Sequence, residues 1–293
     1  MTRRAPSTSD SRGILRPQTG LRHFEHERRD APPALRPYVE WFWAVSWDLG
    51  DGERYVQELV PYLAVNLSIR HGDGPHINGP CRRRTERVLE GQGSVVAALF
   101  TPAGFRPIVG GDQRRFVDRI VPGADELGAV ADAWREADGA LEGDDVAARF
   151  DLLADVLVDL VAERAVEPDP TTALVNEAAR RIRTDPSITR VDQLATTANI
   201  GVRQLQRLFA EHVGVGPKLL IQRHRLQESA ERVARGEAVR WADVAQQLGF
   251  ADQAHLTRAF TATIGVPPER YARECQASTT ASVGEPAPTG GPS

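Results

Sequence analysis

The pattern of apolar and polar positions changes once along the chain, between about residues 122 and 125. Before that point, short apolar segments are broken by Gly and Pro, and side chains alternate with a period of two, which is typical of half-buried strands. In YVEWFWAVSW, the residues on one face are Val39, Trp41, Trp43, Val45 and Trp47. Further strands are predicted in LAVNLSIR (63–70), SVVAALF (94–100) and RFVDRIV (115–121). This half is therefore predicted to be an antiparallel β-barrel or sandwich.

From about Asp125 onward the apolar period becomes helical. One segment, DVAARFDLLADVLVDLVAER, has apolar residues spaced by 4, 3, 4 and 3, a heptad-like seam formed by Val146, Phe150, Leu153, Leu157 and Leu160. Two interpretations stay open at this point. The helix either packs on its own domain or pairs with the same helix of a second subunit.

The chain is thus predicted to be a multidomain α+β protein. Its predicted segments are a polar, disordered tail (1–20), a β-rich domain (21–123), an acidic helical connector with the candidate dimer helix (124–170), an all-α domain (171–275) and a second disordered tail (276–293).

The all-α domain contains an internal repeat. GVRQLQRLFAEHVG, residues 201–214, is echoed by FADQAHLTRAFTATIGVPP, residues 250–268. At an offset of 51 residues, six identities fall in register, at Leu205, Arg207, Phe209, Gly214, Val215 and Pro217 of the first copy. Two copies of one supersecondary unit are therefore predicted.

Each copy is preceded by a short apolar helix and a turn containing Gly, which together predict a helix-turn-helix motif. The first copy is predicted to begin with a capping box between Thr189 and Asp192. Asp252 is predicted to cap the second helix of the second copy, whereas Gly201, a weaker cap, stands at that place in the first.

A long helix between the copies is predicted from Pro217 in its first turn to Gly236 at its end. Its roughly 18 residues, at about 1.5 Å each, span about 27 Å. This length is close to the roughly 34 Å between successive major-groove faces of B-DNA. One chain is therefore expected to place both second helices on the same side of a duplex.

Charge is unevenly distributed around a net value of -4. Residues 171–275 carry 15 Lys and Arg against 11 Asp and Glu, whereas 124–170 carry 3 Arg against 14 acids. A basic module fits a polyanion partner.

No run is long and apolar enough for a membrane span or signal core, and the two cysteines make no disulfide framework or metal motif. We expect a cytoplasmic protein with no membrane contact, no cofactor and no metal.

The second helix of each copy has apolar residues on one face and long polar side chains on the other, at i, i+3 and i+4. Arg pairs well with guanine and Gln with adenine. The predicted DNA-binding residues are Arg203, Gln206 and Arg207 in the first copy and Gln253, His255, Thr257 and Arg258 in the second. Arg190 and Arg240, at the starts of the preceding helices, are predicted to hold phosphates. For each residue the alternative is an ordinary solvated surface.

These residues resemble the AraC/XylS family of bacterial transcription regulators over about 173–272. The family pattern G-F-x-[DS]-x-x-x-[FL]-x-R-x-F, followed by G-x-x-P-x-x-[YF], is matched by Gly249, Phe250, Asp252, Leu256, Arg258, Phe260, Gly265, Pro268 and Tyr271. The resemblance implies two helix-turn-helix motifs, joined by a long helix, that bind adjacent major-groove segments. Gly201 departs from the Ser that often caps the first recognition helix in this family.

The N-terminal half resembles, through LRPYVEWFWAV, LVPYLAVNLSI and LFTPAGFRPIVG, the cupin-like sensor domain of some of these regulators. Such a domain implies a small-molecule effector. Candidate residues for its pocket are Trp41, Trp43, Trp47, Tyr62, Phe100 and Phe105, with the domain core as the alternative for each. CRRRTER (81–87) is either a solvated loop or an anion site for a carboxylate effector.

The sequence therefore predicts a sequence-specific transcription regulator that is not an enzyme. Its expected partners are double-stranded DNA, an unidentified effector and a second copy of the chain, with RNA polymerase as a further candidate. Two other classes stay open: a cupin-type enzyme, which would need a metal cluster or reactive cysteine, and a non-DNA interaction module built on a helix-turn-helix scaffold.

Overall fold

A computed structural model of the chain describes residues 13–14, 20–50, 52–70, 73–141, 145–167 and 169–283. Most of the first predicted tail and the last ten residues of the second lie outside these ranges. The chain forms two compact units, Met1–Leu220 and Ile221–Ser293, each of which is considered by itself below. The first helix-turn-helix motif is part of the same unit as the β-rich half.

The β-rich half consists of eight strands in two antiparallel sheets. The larger sheet has the order β1-β2-β7-β4-β5-β8 and the smaller one pairs β3 with β6. The strands are β1 (Glu25–Asp30), β2 (Val39–Asp48), β3 (Arg54–Leu59), β4 (Asn66–Arg70), β5 (His76–Asn78), β6 (Thr85–Glu90), β7 (Gln92–Phe100) and β8 (Ile120–Pro122). A β-rich N-terminal half followed by a helical C-terminal region confirms the predicted fold class.

Strand β2, which lies between β1 and β7 in the larger sheet, has buried side chains on both of its faces. Trp41, Trp43 and Trp47 point to one side of the sheet, whereas Phe42 and Ala44 belong to the main core on the other. The pairing of β2 with β7 is irregular between Val39 and Trp41. This irregularity places Val39 in the main core, and not on the tryptophan face as the strict alternation predicted.

The smaller sheet covers the tryptophan face at one end. Tyr55 of β3 and Leu89 of β6 pack with Trp47 and Phe24 in a second apolar cluster. The outward residues Val56 and Val88, which are paired across the two strands, stay exposed. The two sheets therefore face each other over the side chains of β2.

Two features of this half differ from the sequence-based prediction. Residues 115–121 do not form one strand, because Gln113–Phe116 is a 3-10 helix, capped by Asp112, and only Ile120–Pro122 is extended. Four strands were not predicted: β1, β3, β5 and β6. β1 has the sequence EHERRD, which has no apolar period because this strand lies at the edge of the sheet.

Helices of the first unit follow the sheet. They are α1 (Arg106–Val109), α2 (Ala124–Leu127), α3 (Ala129–Gly139), α4 (Val146–Glu163), α5 (Pro170–Thr184), α6 (Val191–Thr197) and α7 (Val202–Val213). The heptad-like seam of α4 packs into the core of its own domain, where Phe150, Leu153, Leu157 and Leu160 are fully buried. This seam is therefore not available to pair with a second subunit.

Helix α8 (Pro217–Ala234) contains the boundary between the units, and the second unit continues with α9 (Trp241–Gln247), α10 (Gln253–Ile264) and α11 (Pro268–Val283). Helix α8 has the 18 residues that the sequence predicted, and Gly236 follows it with a φ of +83°. Helix α11 continues past the predicted boundary at residue 275. No helix in the described part of the chain combines the length and apolar character that a bilayer crossing requires.

A buried ion pair fixes helices α3 and α4 beneath the large sheet. Arg149 Nε lies 3.0 Å from Asp138 Oδ1, and both side chains are 1% exposed. The same guanidinium donates to Ser94 Oγ of β7 at 2.7 Å. Because neither charge can reach water, each depends on the other for its stability.

We predict that Arg149→Met lowers the free energy of unfolding by about 3–5 kcal/mol, because it leaves the carboxylate of Asp138 buried without its partner. Restoring neutrality with Arg149→Met and Asp138→Leu together should recover most of this loss. Urea unfolding of the full chain measures both effects. Arg135→Met is the matched control, since the exposed Arg135–Asp132 pair (3.0 Å) should contribute less than about 1 kcal/mol. Equal losses in the two single variants would contradict the prediction.

Candidate DNA-binding and effector sites

The first helix-turn-helix motif consists of α6 and α7. Leu205, Leu208 and Phe209 of α7 are buried against the rest of the first unit. The opposite face of the helix carries Arg203, Gln206 and Arg207, all exposed to solvent. The structure therefore brings the three predicted DNA-binding residues of this copy together on one accessible surface.

The second motif, α9 and α10, has the same internal arrangement. Leu256 and Phe260 are buried, and the Phe260 ring packs edge-on against Trp241 with ring centroids 4.9 Å apart. The side chains of Gln253, His255 and Arg258 are exposed, and Thr257 is half-buried. The His255 ring also packs against Phe250, with ring centroids 5.0 Å apart, which fixes its orientation on the helix.

The turns of the two motifs have the same hydrogen bonds but differ in length. In the first turn, Ile200 N donates to Ala195 O and Asn199 N to Thr196 O; in the second, Phe250 N donates to Ala245 O and Gly249 N to Gln246 O. This is the Schellman pattern, with Asn199 at φ +52° and Gly249 at φ +66°. The second turn then has one extra residue before its recognition helix.

That extra residue changes how the recognition helices begin. Asp252 accepts a hydrogen bond from His255 N at 2.6 Å and caps α10, as predicted. Gly201 is the N-cap of α7 and has no side chain that could accept a capping hydrogen bond. For α6, the predicted box at Thr189 lies one residue too early, because Arg190 is the N-cap and its N–H donates to Gln193 Oε1 at 2.9 Å.

The repeated arginines have different surroundings. Arg207 lies 3.2 Å from Glu211, one turn further along α7. The residue at the corresponding place in the second copy is Ala262, and Arg258 has no carboxylate partner among the described residues. Arg203, also on α7, is likewise without one in the described part of the chain. The Arg207 guanidinium is therefore partly occupied by a carboxylate, whereas that of Arg258 is not occupied by any carboxylate of the described residues.

Arg190 and Arg240 both occupy the N-cap position of the first helix in their motif. Each is exposed and pairs with an acid in the first turn, Arg190 with Asp192 at 2.9 Å and Arg240 with Asp243 at 3.5 Å. Arg190 and Arg240 therefore occupy corresponding positions in the two copies of the repeat. Neither ion pair is buried, so each guanidinium can exchange its carboxylate for another anion.

A cavity of about 480 Å³ lies between the two sheets of the β-rich half. Its aromatic wall is formed by Trp41, Trp43, Trp47 and Tyr62, four of the six residues that the sequence suggested for an effector pocket. Trp41 and Tyr62 pack edge to face, with ring centroids 5.3 Å apart. The volume and the aromatic lining are those of a small-molecule site.

Phe100 and Phe105, the other two candidates, do not line this cavity. They lie in the main core on the opposite side of the large sheet, 1% and 2% exposed, and their rings pack edge to face at 4.9 Å. Phe105 also contacts Phe116 of the 3-10 helix, with centroids 5.7 Å apart. Phe100 and Phe105 therefore belong to the core of the domain, which was the alternative interpretation for each candidate residue of the pocket.

Two of the tryptophans are held by hydrogen bonds to the protein. Trp43 Nε1 donates to Asn66 Oδ1 at 2.9 Å, and Trp47 Nε1 donates to the carbonyl of Glu90 at 3.2 Å. Gly93 lies directly under the Trp47 indole, since a Cβ at this position would come within 2.7 Å of the ring. These two indoles therefore present ring surface, and not an N–H donor, to the cavity.

Beyond the tryptophans, the same sheet continues as a polar wall of the cavity. Strands β4 and β5 contribute Asn66, Ser68 and Asn78, and Asn78 Nδ2 donates to Ser68 Oγ at 2.8 Å. Among the described residues, no group of three His, Cys, Asp or Glu side chains is arranged to hold a metal ion.

One short segment connects the cavity to the first recognition helix. Asp118, Arg119 and Ile120 line the cavity, and the 3-10 helix just before them packs against the end of α7. Gly214, which ends α7 with φ +87°, lies against this helix so closely that a Cβ would come within 2.9 Å of the Gln113 carbonyl. Sequence reasoning missed this contact, because it joins residues about a hundred positions apart.

A second contact on the same side involves His212, near the end of α7. Its imidazole is buried and lies within hydrogen-bond distance of the Arg106 guanidinium. Burial, followed by the positive charges of Arg106 and Arg207, lowers the pKa of His212, and the carboxylates of Asp169 and Glu211 oppose this effect. The neutral imidazole is therefore the form that fits this contact.

Helix α5, which leads into the motif, is also attached to the β-rich half. Asn176 accepts a hydrogen bond from Ala103 N at 2.8 Å and donates to Thr101 Oγ1 at 2.9 Å. Arg183 pairs with Glu40 of β2 at 2.7 Å. The first motif is thus docked on the domain that contains the cavity.

Two family models match separate parts of the chain. Residues 194–274 match the family described as a helix-turn-helix domain, and residues 27–122 match a domain of unknown function, DUF6597. No curated protein matches the chain. The first family match covers most of both motifs, including the signature residues 249–271.

Similar solved structures include the C-terminal domain of AraT, a response regulator from Geobacillus stearothermophilus. It has 21% identity and a TM-score of 0.30 over 36% of this chain and 88% of that one. ToxT from Vibrio cholerae has 10% identity and a TM-score of 0.34 over 86% of this chain and 98% of that one. ToxT with a bound unsaturated fatty acid has 11% identity and a TM-score of 0.31 over 92% and 97%.

The repeat, the matched helix-turn-helix family and the two exposed polar faces lead to one conclusion. The chain carries a DNA-binding domain of the AraC/XylS type and is a DNA-binding transcription regulator.

Proposed function

We propose that this regulator reads DNA with the exposed faces of α7 and α10, and that a small molecule in the cavity between the sheets controls this reading. The proposed DNA contacts are those of Arg203, Gln206, Arg207, Gln253, His255, Thr257 and Arg258, with phosphate contacts from Arg190 and Arg240. One observation carries the regulatory part of the proposal: residues 112–120 touch both the cavity and the first recognition helix.

The DNA contacts are supported by the repeat and by the chemistry of the exposed side chains. Arg and Gln offer the donor and acceptor patterns that guanine and adenine edges require in the major groove. Helix α8, with 18 residues, has a length of about 27 Å, which suits two contacts in successive groove segments. The proposal therefore includes two base-reading surfaces per chain.

The regulatory step follows from the contacts of the segment 112–120. A ligand that touches Asp118 or Arg119 also displaces or stiffens the residues that hold Gly214 and the end of α7. Ligand binding would then shift the population between docked and released arrangements of the first motif. The size of the effect equals the difference in ligand affinity between the two arrangements.

The two other classes make different predictions. An interaction module without DNA contacts would bind duplex DNA weakly and without salt dependence, whereas phosphate contacts make affinity fall steeply with salt. A cupin-type enzyme would need a reactive centre, and the described residues contain no cluster suited to a metal ion. A DNA-binding regulator that responds to an effector accounts for both the cavity and the repeated motifs.

We predict that Arg258→Ala weakens binding to the selected operator by about 1–3 kcal/mol, because Arg258 has no competing carboxylate. Arg207→Ala should cost less, since breaking the Arg207–Glu211 pair already lowers the net gain from a DNA contact. Glu211→Ala should tighten binding by freeing Arg207 and removing a negative charge near the phosphates. Titration of a duplex obtained by selection from a random pool measures all three variants.

A scrambled duplex is the control for this series. A base contact by Arg258 predicts a larger loss on the operator than on the scrambled duplex, whereas a phosphate contact predicts equal losses and a smaller salt slope. Unchanged affinity on both duplexes would remove Arg258 from the interface.

We predict that filling the cavity changes DNA affinity. Cys81 lines the cavity and is half-buried, so a naphthyl iodoacetamide attached to it, in a Cys275→Ser background, places an aromatic group there without knowledge of the natural effector. We expect the operator Kd to change by about fivefold or more. The matched control carries the same label at Arg83→Cys in a chain with both natural cysteines replaced by Ser, since Arg83 is exposed and outside the cavity lining. Equal shifts in both labelled proteins, or none, would contradict the coupling.

We predict that the chain loses stability as the pH falls below about 6.5, and that His212 supplies part of this loss. Its pKa is lowered in the folded protein, so below the ordinary value the unfolded chain takes up a proton that the folded chain does not. His212→Gln should reduce the change in melting temperature between about pH 8 and about pH 5.5. Replacing the exposed His255 by Gln is the control; an unchanged slope in the His212 variant would exclude this role.

A further inference from the structure

An exposed apolar side chain stands at the first position of the first recognition helix. Val202 begins α7 and is 38% exposed. The described residues include three other large exposed hydrophobic side chains, Val56, Val88 and Ile120, all in the β-rich half. Val56 and Val88 are cross-strand neighbours, and Ile120 lines the cavity between the sheets. Val202 lies on a helix, so neither strand pairing nor the cavity accounts for its exposure.

The start of α7 is sterically open. At Gly201, the N-cap residue next to Val202, a Cβ would meet no atom of the described residues within 4 Å apart from those of its chain neighbours. A partner can therefore approach the first turn without displacing another part of the protein. The N-terminal residues of a recognition helix are the ones that reach base edges in the major groove.

Val202 also lies on the face that carries the proposed DNA contacts. Gln206 follows it by one helical turn, at i+4, and Arg203 is its neighbour, whereas Leu205 and Phe209 are buried on the other side. A valine in a helix has one strongly preferred rotamer. Its two methyl groups are thus held in place before DNA binds, and a contact with a base costs little side-chain entropy.

The repeat indicates what this position does. At the offset of 51 residues, Val202 corresponds to Gln253, and each is the first residue of its recognition helix. The amide of Gln253 suits the N6 and N7 atoms of adenine. An isopropyl group has no hydrogen-bonding atom, and the apolar group that the major groove offers it is the C5 methyl of thymine. The two copies therefore place different base-reading chemistry at the same point.

We propose that Val202 contacts the methyl group of a thymine in the major groove and makes this base a specificity determinant of the half-site that α7 reads. The inference rests on the proposed function of α7 in reading DNA and adds one residue and one base to it. The contact removes apolar surface of both partners from water. Loss of one methyl group from such a contact corresponds to about a fourfold change in affinity.

A deoxyuridine scan of the operator tests the contact, because each replacement of a thymine by deoxyuridine removes only the methyl group. One replacement is expected to weaken binding of the full wild-type chain by about fourfold. Val202→Ala should weaken binding to the unmodified operator by a similar factor and should no longer respond to that replacement. Titration of each duplex, selected from a random pool and then modified, measures both effects.

Val56→Ala is the matched control. It removes the same two methyl groups from a valine of similar exposure, 42%, on the outward side of β3. This variant should bind the operator as the wild type does and keep the wild-type response to every deoxyuridine. Melting temperatures of both variants show that they are folded, which is expected because neither valine is buried.

An exchange between the two copies gives a second, independent test. Val202→Gln places the residue of the second motif at the start of α7. Selection from the random pool with this variant should replace the thymine by adenine at the one position that the deoxyuridine scan identifies, and leave the other selected bases unchanged.

Two results would overturn the thymine contact. One is a deoxyuridine profile that is the same in the wild type and in Val202→Ala. The other is an equal loss for Val202→Ala on the operator and on a scrambled duplex, which indicates a contact with the sugar-phosphate backbone. Failure of the proposed function is distinguishable, because Arg207→Ala would then also leave operator affinity unchanged. A loss in Arg207→Ala beside wild-type behaviour of Val202→Ala retains α7 as a reading helix and rejects the thymine.

Discussion

The register between strands β2 and β7 is the constraint on which the first unit depends. Alternate side chains of β2 either enter the core under α4 or face the cavity, so one pairing determines both the packing and the lining. A slip by one residue would put the tryptophans into the core and expose Phe42 and Ala44 to the cavity. The irregular pairing between Val39 and Trp41 turns the side chain of Val39 into the main core, whereas the alternate residues from Trp41 onward face the cavity.

The first helix-turn-helix motif is docked on the domain that contains the cavity. Gly214 is suited to this place because its backbone angle and its contact with the 3-10 helix both exclude a side chain. His212 adds a contact with the Arg106 guanidinium, and burial and that positive charge lower the pKa of its imidazole, which favours the neutral form. The end of a recognition helix is therefore fixed by residues that belong to the β-rich half, and under the proposed function a ligand would act on it through the short segment 112–120.

The sequence predicted the structure best in segments where apolar residues recur with a single period. The helices of both motifs and strand β2 followed from their patterns, because each has one buried and one exposed or cavity-facing side. In β7 the residues from Val96 to Phe100 are all buried, so no alternation shows which side Phe100 faces. RFVDRIV alternates like a strand, but Asp112 caps a 3-10 helix there and Phe116 enters the core. The cavity lining comes from several strands and from the segment before β8, and only the fold brings these residues around one space.

The glycine under Trp47 has a practical consequence. Because nothing but hydrogen separates the backbone of Gly93 from the indole, the position of the Trp47 ring depends on the absence of a side chain at residue 93. A methyl group there would push the ring inward and shorten the space available to a guest, without altering any residue that carries charge. Position 93 is thus a natural starting point for reshaping this cavity toward smaller guest molecules.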